Sequence, residues 1–178
     1  MTRHQGSISW RRLAALATLA LLLLGAPSGR AADPLAKPTG KVILTVSGAI
    51  DRTNAAGKAQ FDLAMLQALG LQQITTTTNW TDGKQVFEGV LVQKVLDAVG
   101  AHGTTVAATA IDDYSVAIPI ADFHDYPVLL ALTMNGAAMT AKDKGPIWIV
   151  YPRDDYAALR DPKMDLRWVW QLKALVVK

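Results

Sequence analysis

Leu129-Leu130-Ala131-Leu132-Thr133-Met134-Asn135-Gly136, and after it Gly145-Pro146-Ile147-Trp148-Ile149-Val150-Tyr151-Pro152, are the stretches whose reading decides the fold. Val128–Met134 is an apolar run too short for a long helix, and it runs into Asn135-Gly136. That dipeptide supplies the two positive-φ residues of a two-residue hairpin turn, so the run reads as a strand entering a hairpin. Ile147–Tyr151 is apolar without alternation and is closed by Pro152, which reads as a short strand buried on both faces.

Outward from this pair, Lys41–Gly48 is rich in β formers and reads as the first strand, and Leu172–Val177 as the last. Gln73–Asn79 is a threonine strand. Thr104–Ile111 and Tyr114–Ile118 are strands interrupted at Asp112-Asp113. Two helices are expected. Phe61–Leu69 has Asp62 as an N-cap and Gly70 as a stop, and Val90–Val99 is amphipathic between Gly89 and Gly100. Trp80–Glu88 reads as a loop through Asp82-Gly83. Strands outnumber helices, with no regular βαβ alternation. The expectation is therefore an α+β fold, a compact mixed β-sheet domain with a few short helices, over residues 41–178.

The N-terminus has a different character. Arg3, Arg11 and Arg12 precede the apolar run Leu13–Leu24, and small residues follow up to Ala31. This is the pattern of a secretory signal peptide over residues 1–31, with a flexible leader at 32–40. The Arg11-Arg12 pair lacks the aromatic that usually follows in twin-arginine signals. The whole chain of 178 residues has a formal charge of +3, with 18 Lys+Arg against 15 Asp+Glu. Four of the arginines lie in residues 1–31, which leaves 14 Lys+Arg (18 less four) against 15 acids, a formal charge of −1. No basic stripe remains to bind nucleic acid, and the expected mature form is soluble and periplasmic.

Familiar chemistry is mostly excluded. There is no Cys, hence no thiolate nucleophile, disulfide or thiolate metal site. No glycine-rich dinucleotide fingerprint, phosphate loop, zinc-protease or serine-hydrolase motif occurs. Asp122-Phe123-His124-Asp125 holds three metal-capable side chains in four residues, a spacing that suits a solvated turn better than one ion. Asp112-Asp113 carries more weight. Adjacent strand residues face opposite sides, so one carboxylate points to solvent and the other to the interior or a cleft. A buried carboxylate needs donors, and the paired N–H groups of a guanidine-like ring edge suit it. Trp80, in a loop, is a candidate stacking ring. Trp148 reads as core, and Trp168 and Trp170 as packing residues on one strand face.

Four pieces in order carry a resemblance: Trp80, Asp82, Gly83 with Phe87-Glu88-Gly89-Val90-Leu91 and Val95-Leu96; Asp113-Tyr114-Ser115 with Ile118-Pro119; and the two stretches quoted at the outset. Together they resemble the molybdopterin-binding domain of the sulfite oxidase type, a compact α+β fold. Enzymes of that family ligate molybdenum through one Cys in the segment corresponding to Ile74–Asn79, where this chain has threonines. A threonine hydroxyl is a harder, far more basic donor than thiolate, so molybdenum and its redox chemistry are not expected here.

What the resemblance does imply is a pterin-shaped pocket. Cys-less exported relatives resemble periplasmic pterin-responsive proteins that partner the sensory domains of cyclic-di-GMP-metabolising membrane enzymes. On this likeness Asp113 accepts the pterin's 2-amino and N3 hydrogens, and Trp80 or Tyr114 stacks on the ring. Thr77, Thr78, Asn79 and Ser115 complete the hydrogen bonds, and Arg153 anchors a polar tail. The expected function is a non-catalytic periplasmic pterin-binding protein that signals to a membrane partner. A molybdopterin-dependent oxidoreductase with an unusual ligand set and a pocketless interaction module stand as alternatives.

Overall fold

The computed structural model describes residues 34–178, so the expected signal peptide lies outside the described residues. Ten strands form two five-stranded sheets. In the first, β1 (Leu44–Gly48) and β10 (Leu172–Val177) lie parallel at the centre. They are flanked by β2 (Lys58–Phe61) on one side and by β5 (Thr105–Ala110) and β6 (Ser115–Pro119) on the other. Its strands alternate: Leu44 and Val46, Ala59 and Phe61, and Val106, Ala108 and Ala110 are buried, while most of their neighbours are not. That is the period-two pattern of a sheet with one face toward a core.

The second sheet runs β3 (Leu71–Thr77), β4 (Lys84–Leu91), β7 (Leu129–Met134), with β8 (Ala137–Ala138) and β9 (Trp148–Val150) both beyond β7. Leu129–Leu132 and all of β9 are buried. Asn135 and Gly136, at φ 52° and 77°, make the two-residue hairpin turn expected between β7 and β8. A bulge at Glu88/Gly89 brings Gly89 against the β7 backbone, where a Cβ would lie 2.0 Å from the Leu130 carbonyl oxygen. Only glycine fits there.

Among the described residues there are also four short α-helices, α1 (Leu63–Ala68), α2 (Val92–Val99), α3 (Ala121–Asp125) and α4 (Pro162–Asp165), and a 3-10 turn at Ala157–Arg160. Val92, Val95, Leu96 and Val99 of α2 face the core, and Gly100 ends the helix in the left-handed conformation. Residues of both sheets and of α2 form one contiguous apolar cluster. Among the described residues no helix is long and apolar enough to cross a membrane.

The structure corrects several boundaries. The expected loop Trp80–Glu88 is a strand from Lys84 onward, and Val90-Leu91 continue that strand, so the second helix starts at Val92. Phe61 belongs to β2 and not to the first helix. Asp62 is the N-cap, accepting the Met65 amide at 2.9 Å, and it also accepts the amides of Thr39 and Gly40 at 2.8 and 2.7 Å. The end of the expected flexible leader is thereby tied down. These bonds hold the Asp62 carboxyl below its ordinary range, the Met65 amide contributing most.

Candidate functional site

The cleft of interest has a volume of about 300 Å³ and is built from three chain segments. The β3–β4 connection gives Trp80. Thr78 shapes that connection, its hydroxyl accepting the Trp80 amide at 3.0 Å and bonding the Thr81 hydroxyl at 2.8 Å. Gly83, at φ 65°, then turns the chain into β4. The β5–β6 hairpin gives Ala110, Asp112 and Tyr114, and the chain from α4 into β10 gives Asp165, Leu166, Trp168, Val169 and Trp170. Trp80 lies 5.7 Å from Trp168 and 5.5 Å from Trp170, ring centre to ring centre. The Tyr114 hydroxyl donates to the Leu166 carbonyl at 3.0 Å and links the second segment to the third.

The β5–β6 turn decides which of two adjacent carboxylates enters the cleft. The Ala110 amide bonds the Tyr114 carbonyl and the Asp113 amide bonds the Ala110 carbonyl, enclosing a three-residue loop whose last member, Asp113, has φ 68°. Such loops end in a left-handed residue, and Asp tolerates that conformation better than most. Asp113 is thereby turned outward, its side chain 84% exposed and bonded to Lys173 Nζ at 2.5 Å. Lys173 holds its carboxyl below the ordinary range. Asp112 lines the cleft instead, accepting the Tyr114 amide at 3.1 Å. Asp112 and Asp113 lie in this turn and not in a strand, so strand alternation does not apply; both are exposed, and the one that borders the cleft is Asp112.

Beyond Asp165, the last residue of α4, the third wall has no regular structure, and it is held by a polar network behind it. Asp122, 8% exposed, accepts from Arg167 at 2.5 Å and from the Tyr151 hydroxyl at 2.9 Å. The solvated turn expected at Asp122–Asp125 is therefore a short helix with a buried, doubly partnered acid. Burial and the Asp122 charge push the Tyr151 phenol well above its ordinary pKa, so it stays a donor. Arg167 is thus fixed from behind, between Leu166 and Trp168 of the wall. Trp168 and Trp170 are not in a strand but line the cleft. Trp148 is fully buried core, as expected.

The other residues singled out from the sequence lie around this cleft and not in its lining. Arg153 donates to Asn79 Oδ1, and Asn79 Nδ2 donates to Asp165 Oδ2 at 2.6 Å, so these two residues reach the cleft only through Asp165. Thr77 is bound by Asp154, to its amide at 3.1 Å and its hydroxyl at 2.6 Å. That hydroxyl is the main reason the Asp154 carboxyl lies below its ordinary range. Ser115 pairs with Thr109 across β5–β6 at 3.1 Å, on an exposed surface.

Sequence reasoning missed Asp165, Leu166 and Val169; Trp168 and Trp170, read as packing, do pack in and against the core, and they line the cleft as well. Their one visible signal is the density of large rings in Trp168-Val169-Trp170 close to an acid.

A second pocket of about 390 Å³ lies by the β7–β8 hairpin, lined by Met134, Met139, Lys142, Asp143 and Lys144 among others. Lys144 Nζ sits 5.5 Å from the Trp148 ring centre and 5.9 Å from that of Trp170.

A family model described as the oxidoreductase molybdopterin binding domain matches residues 52–164, more than half of the chain. The chain belongs to that family. Its fold is similar to the crystal structure of the sulfane dehydrogenase SoxCD from Paracoccus pantotrophus, with a TM-score of 0.57 and 18% identity. The likeness covers 75% of this chain but only 37% of that one. No curated protein sequence matches the chain.

The residues present do not fit a thiolate-ligated metal centre. The chain has no Cys, and the hydroxyls at the end of β3 are already committed. Thr76, fully buried, donates to the Thr77 carbonyl at 3.3 Å and accepts the Asp154 amide at 3.2 Å. Thr77 donates to Asp154, and Thr78 pairs with Thr81. Among the described residues no three His, Cys, Asp or Glu side chains are grouped to hold a metal.

Proposed function

We propose that this protein is a periplasmic binding protein for a pterin-like small molecule, non-catalytic for want of a sulfur donor, which reports its occupied state to a membrane-anchored signalling partner. The observation that supports it most is the cleft itself: four aromatic side chains, Trp80, Tyr114, Trp168 and Trp170, surround a volume suited to a bicyclic heterocycle, with carboxylates beside them. A carboxylate accepts two parallel N–H donors well, and a pterin edge offers them in its 2-amino and N3 groups. Asp112 replaces Asp113 as the acceptor in this reading. Signalling is supported by the exposed apolar side chains that line the cleft, Tyr114 and Leu166, 45% and 62% exposed. A partner that docks over these side chains reads the ligand along with them. The cyclic-di-GMP enzymes with periplasmic sensory domains are the expected partner class, on the strength of the resemblance and the export signal.

Calorimetric titration of the purified protein with reduced and oxidised pterins tests the reading. Saturable heat is expected with at least one of them, and none with any pterin overturns it. The oxidoreductase reading is favoured by the family match alone. Molybdenum analysis of protein from cofactor-competent cells separates the two, a stoichiometric content supporting the enzyme and a trace content the binding protein.

A further inference from the structure

The edges of the two sheets are protected unequally. An open edge strand offers a row of unpaired N–H and C=O groups, which proteins blunt with charge, proline, short strands or covering groups. In the first sheet, β2 is covered by Asn54, which accepts the Gln60 amide and donates to the Gln60 carbonyl, both at 2.8 Å. β6 ends in Pro119, which has no N–H to give. In the second sheet, β8 and β9 have only two and three residues. β3 is different: seven residues with no charge, no proline and no bulge against β4.

Its free side follows from the pairing. Val86, opposite Thr75, directs both main-chain groups toward the β7 side: its amide donates to Asn135 Oδ1 at 3.0 Å and its carbonyl accepts the Asn135 amide at 2.7 Å. Thr75 therefore turns its own N–H and C=O away from β4, and so, at period two, do Leu71, Gln73 and Thr77. Thr77 agrees, its amide being taken by the Asp154 carboxylate at 3.1 Å, which closes that end of the edge. Among the described residues no main chain pairs with Leu71, Gln73 or Thr75 on that side.

We infer that this edge pairs with the same edge of a second copy of this chain, antiparallel about a twofold axis at Gln73, the middle of the three open positions. Leu71 of each copy then faces Thr75 of the other and Gln73 faces Gln73, each pair exchanging both of its N–H···O bonds. A charge on such an axis would meet itself, and the strand carries none. The pairing also gathers exposed apolar groups. Leu71 and Val86, 41% and 37% exposed, share the outer face of the sheet with Thr75. Leu71 of one copy, then Thr75 and Val86 of the other, form a continuous row across the joint.

Sedimentation equilibrium of the purified protein, from micromolar to near-millimolar concentration, tests this. A mass rising toward that of two chains is expected. Thr75→Pro costs no bond within one chain, because that N–H points away from β4, but it removes one from each copy at the joint. Self-association should weaken about tenfold or more. Gln73→Lys sets two like charges on the axis and should do the same, which keeps the test open where the proline variant does not fold. Because the chain has no Cys, Gln73→Cys gives a direct readout: mild oxidation should link two chains, while Ala117→Cys on the β6 edge should not. A protein that stays monomeric, a dimer indifferent to Thr75→Pro and Gln73→Lys, or linkage through Ala117→Cys alone overturns the pairing.

Discussion

Asp122 and Asp165 are both acids that bear on the same stretch of chain, yet their surroundings differ in kind. Asp122 is buried and takes donors from Arg167 and Tyr151, so its charge is answered inside the protein. Asp165 is half-buried at the cleft and takes one donor, from the Asn79 amide. The first arrangement fixes a wall and the second leaves capacity for a ligand. A polar group satisfied within the fold is structural, whereas one left with spare lone pairs beside an apolar cavity is suited to binding.

The largest effect is expected from removing the structural side of this comparison. Arg167→Met leaves the Asp122 charge buried without its cation and is expected to cost about 3 kcal/mol in denaturant unfolding. Ligand binding should fall with it, because Leu166 and Trp168 flank Arg167. Adding Asp122→Leu should recover much of the stability, since replacing both partners of a buried pair is far less costly than orphaning one. If the single variant unfolds at the wild-type midpoint, the network does not hold the wall.

On the ligand side, Trp80→Ala should weaken pterin binding about tenfold by calorimetry, the scale of one lost aromatic stack. Trp80→Phe should recover part of it. Asp122→Asn and Asp165→Asn sharpen the contrast further. The first is expected to lower stability by about 1–3 kcal/mol through its weakened charge-assisted bonds. The second should leave the unfolding midpoint near wild type and act on ligand binding instead.

What was legible in the sequence follows the same division. The strands β7 and β9 could be read directly because apolar runs and an Asn-Gly turn are local signals, and β10 was bounded to the residue at Leu172 and Val177. The sequence alone places the start of α2 two residues early, because Val90-Leu91 serve a strand as readily as a helix and the bulge at Gly89 is visible only once β7 is alongside. Asp122 could not be read, since its partners lie 29 and 45 residues away along the chain. Trp168 and Trp170 alternate as strand residues do, but their segment follows α4 irregularly and turns them to the cleft. The choice between Asp112 and Asp113 rests on a hairpin loop of three residues, to which strand alternation does not apply.

That last choice allows the smallest and most discriminating test. Asp113 is highly exposed and answers Lys173, so Asp113→Asn is expected to leave pterin affinity unchanged, while Asp112→Asn lowers it. Its trace should instead appear in the pH dependence of stability. Lys173 lowers the folded-state pKa of Asp113 below its unfolded value, so the pair contributes stability fully above the unfolded value of about 3.9. That contribution is lost as pH falls through the lower folded-state value. Thermal melts of wild type and Asp113→Asn should therefore differ slightly at neutral pH and converge in acid, the difference shrinking with salt as an exposed ion pair requires. A loss of pterin affinity in Asp113→Asn equal to that in Asp112→Asn would instead return the outward carboxylate to the site and require the hairpin turn to reverse on binding.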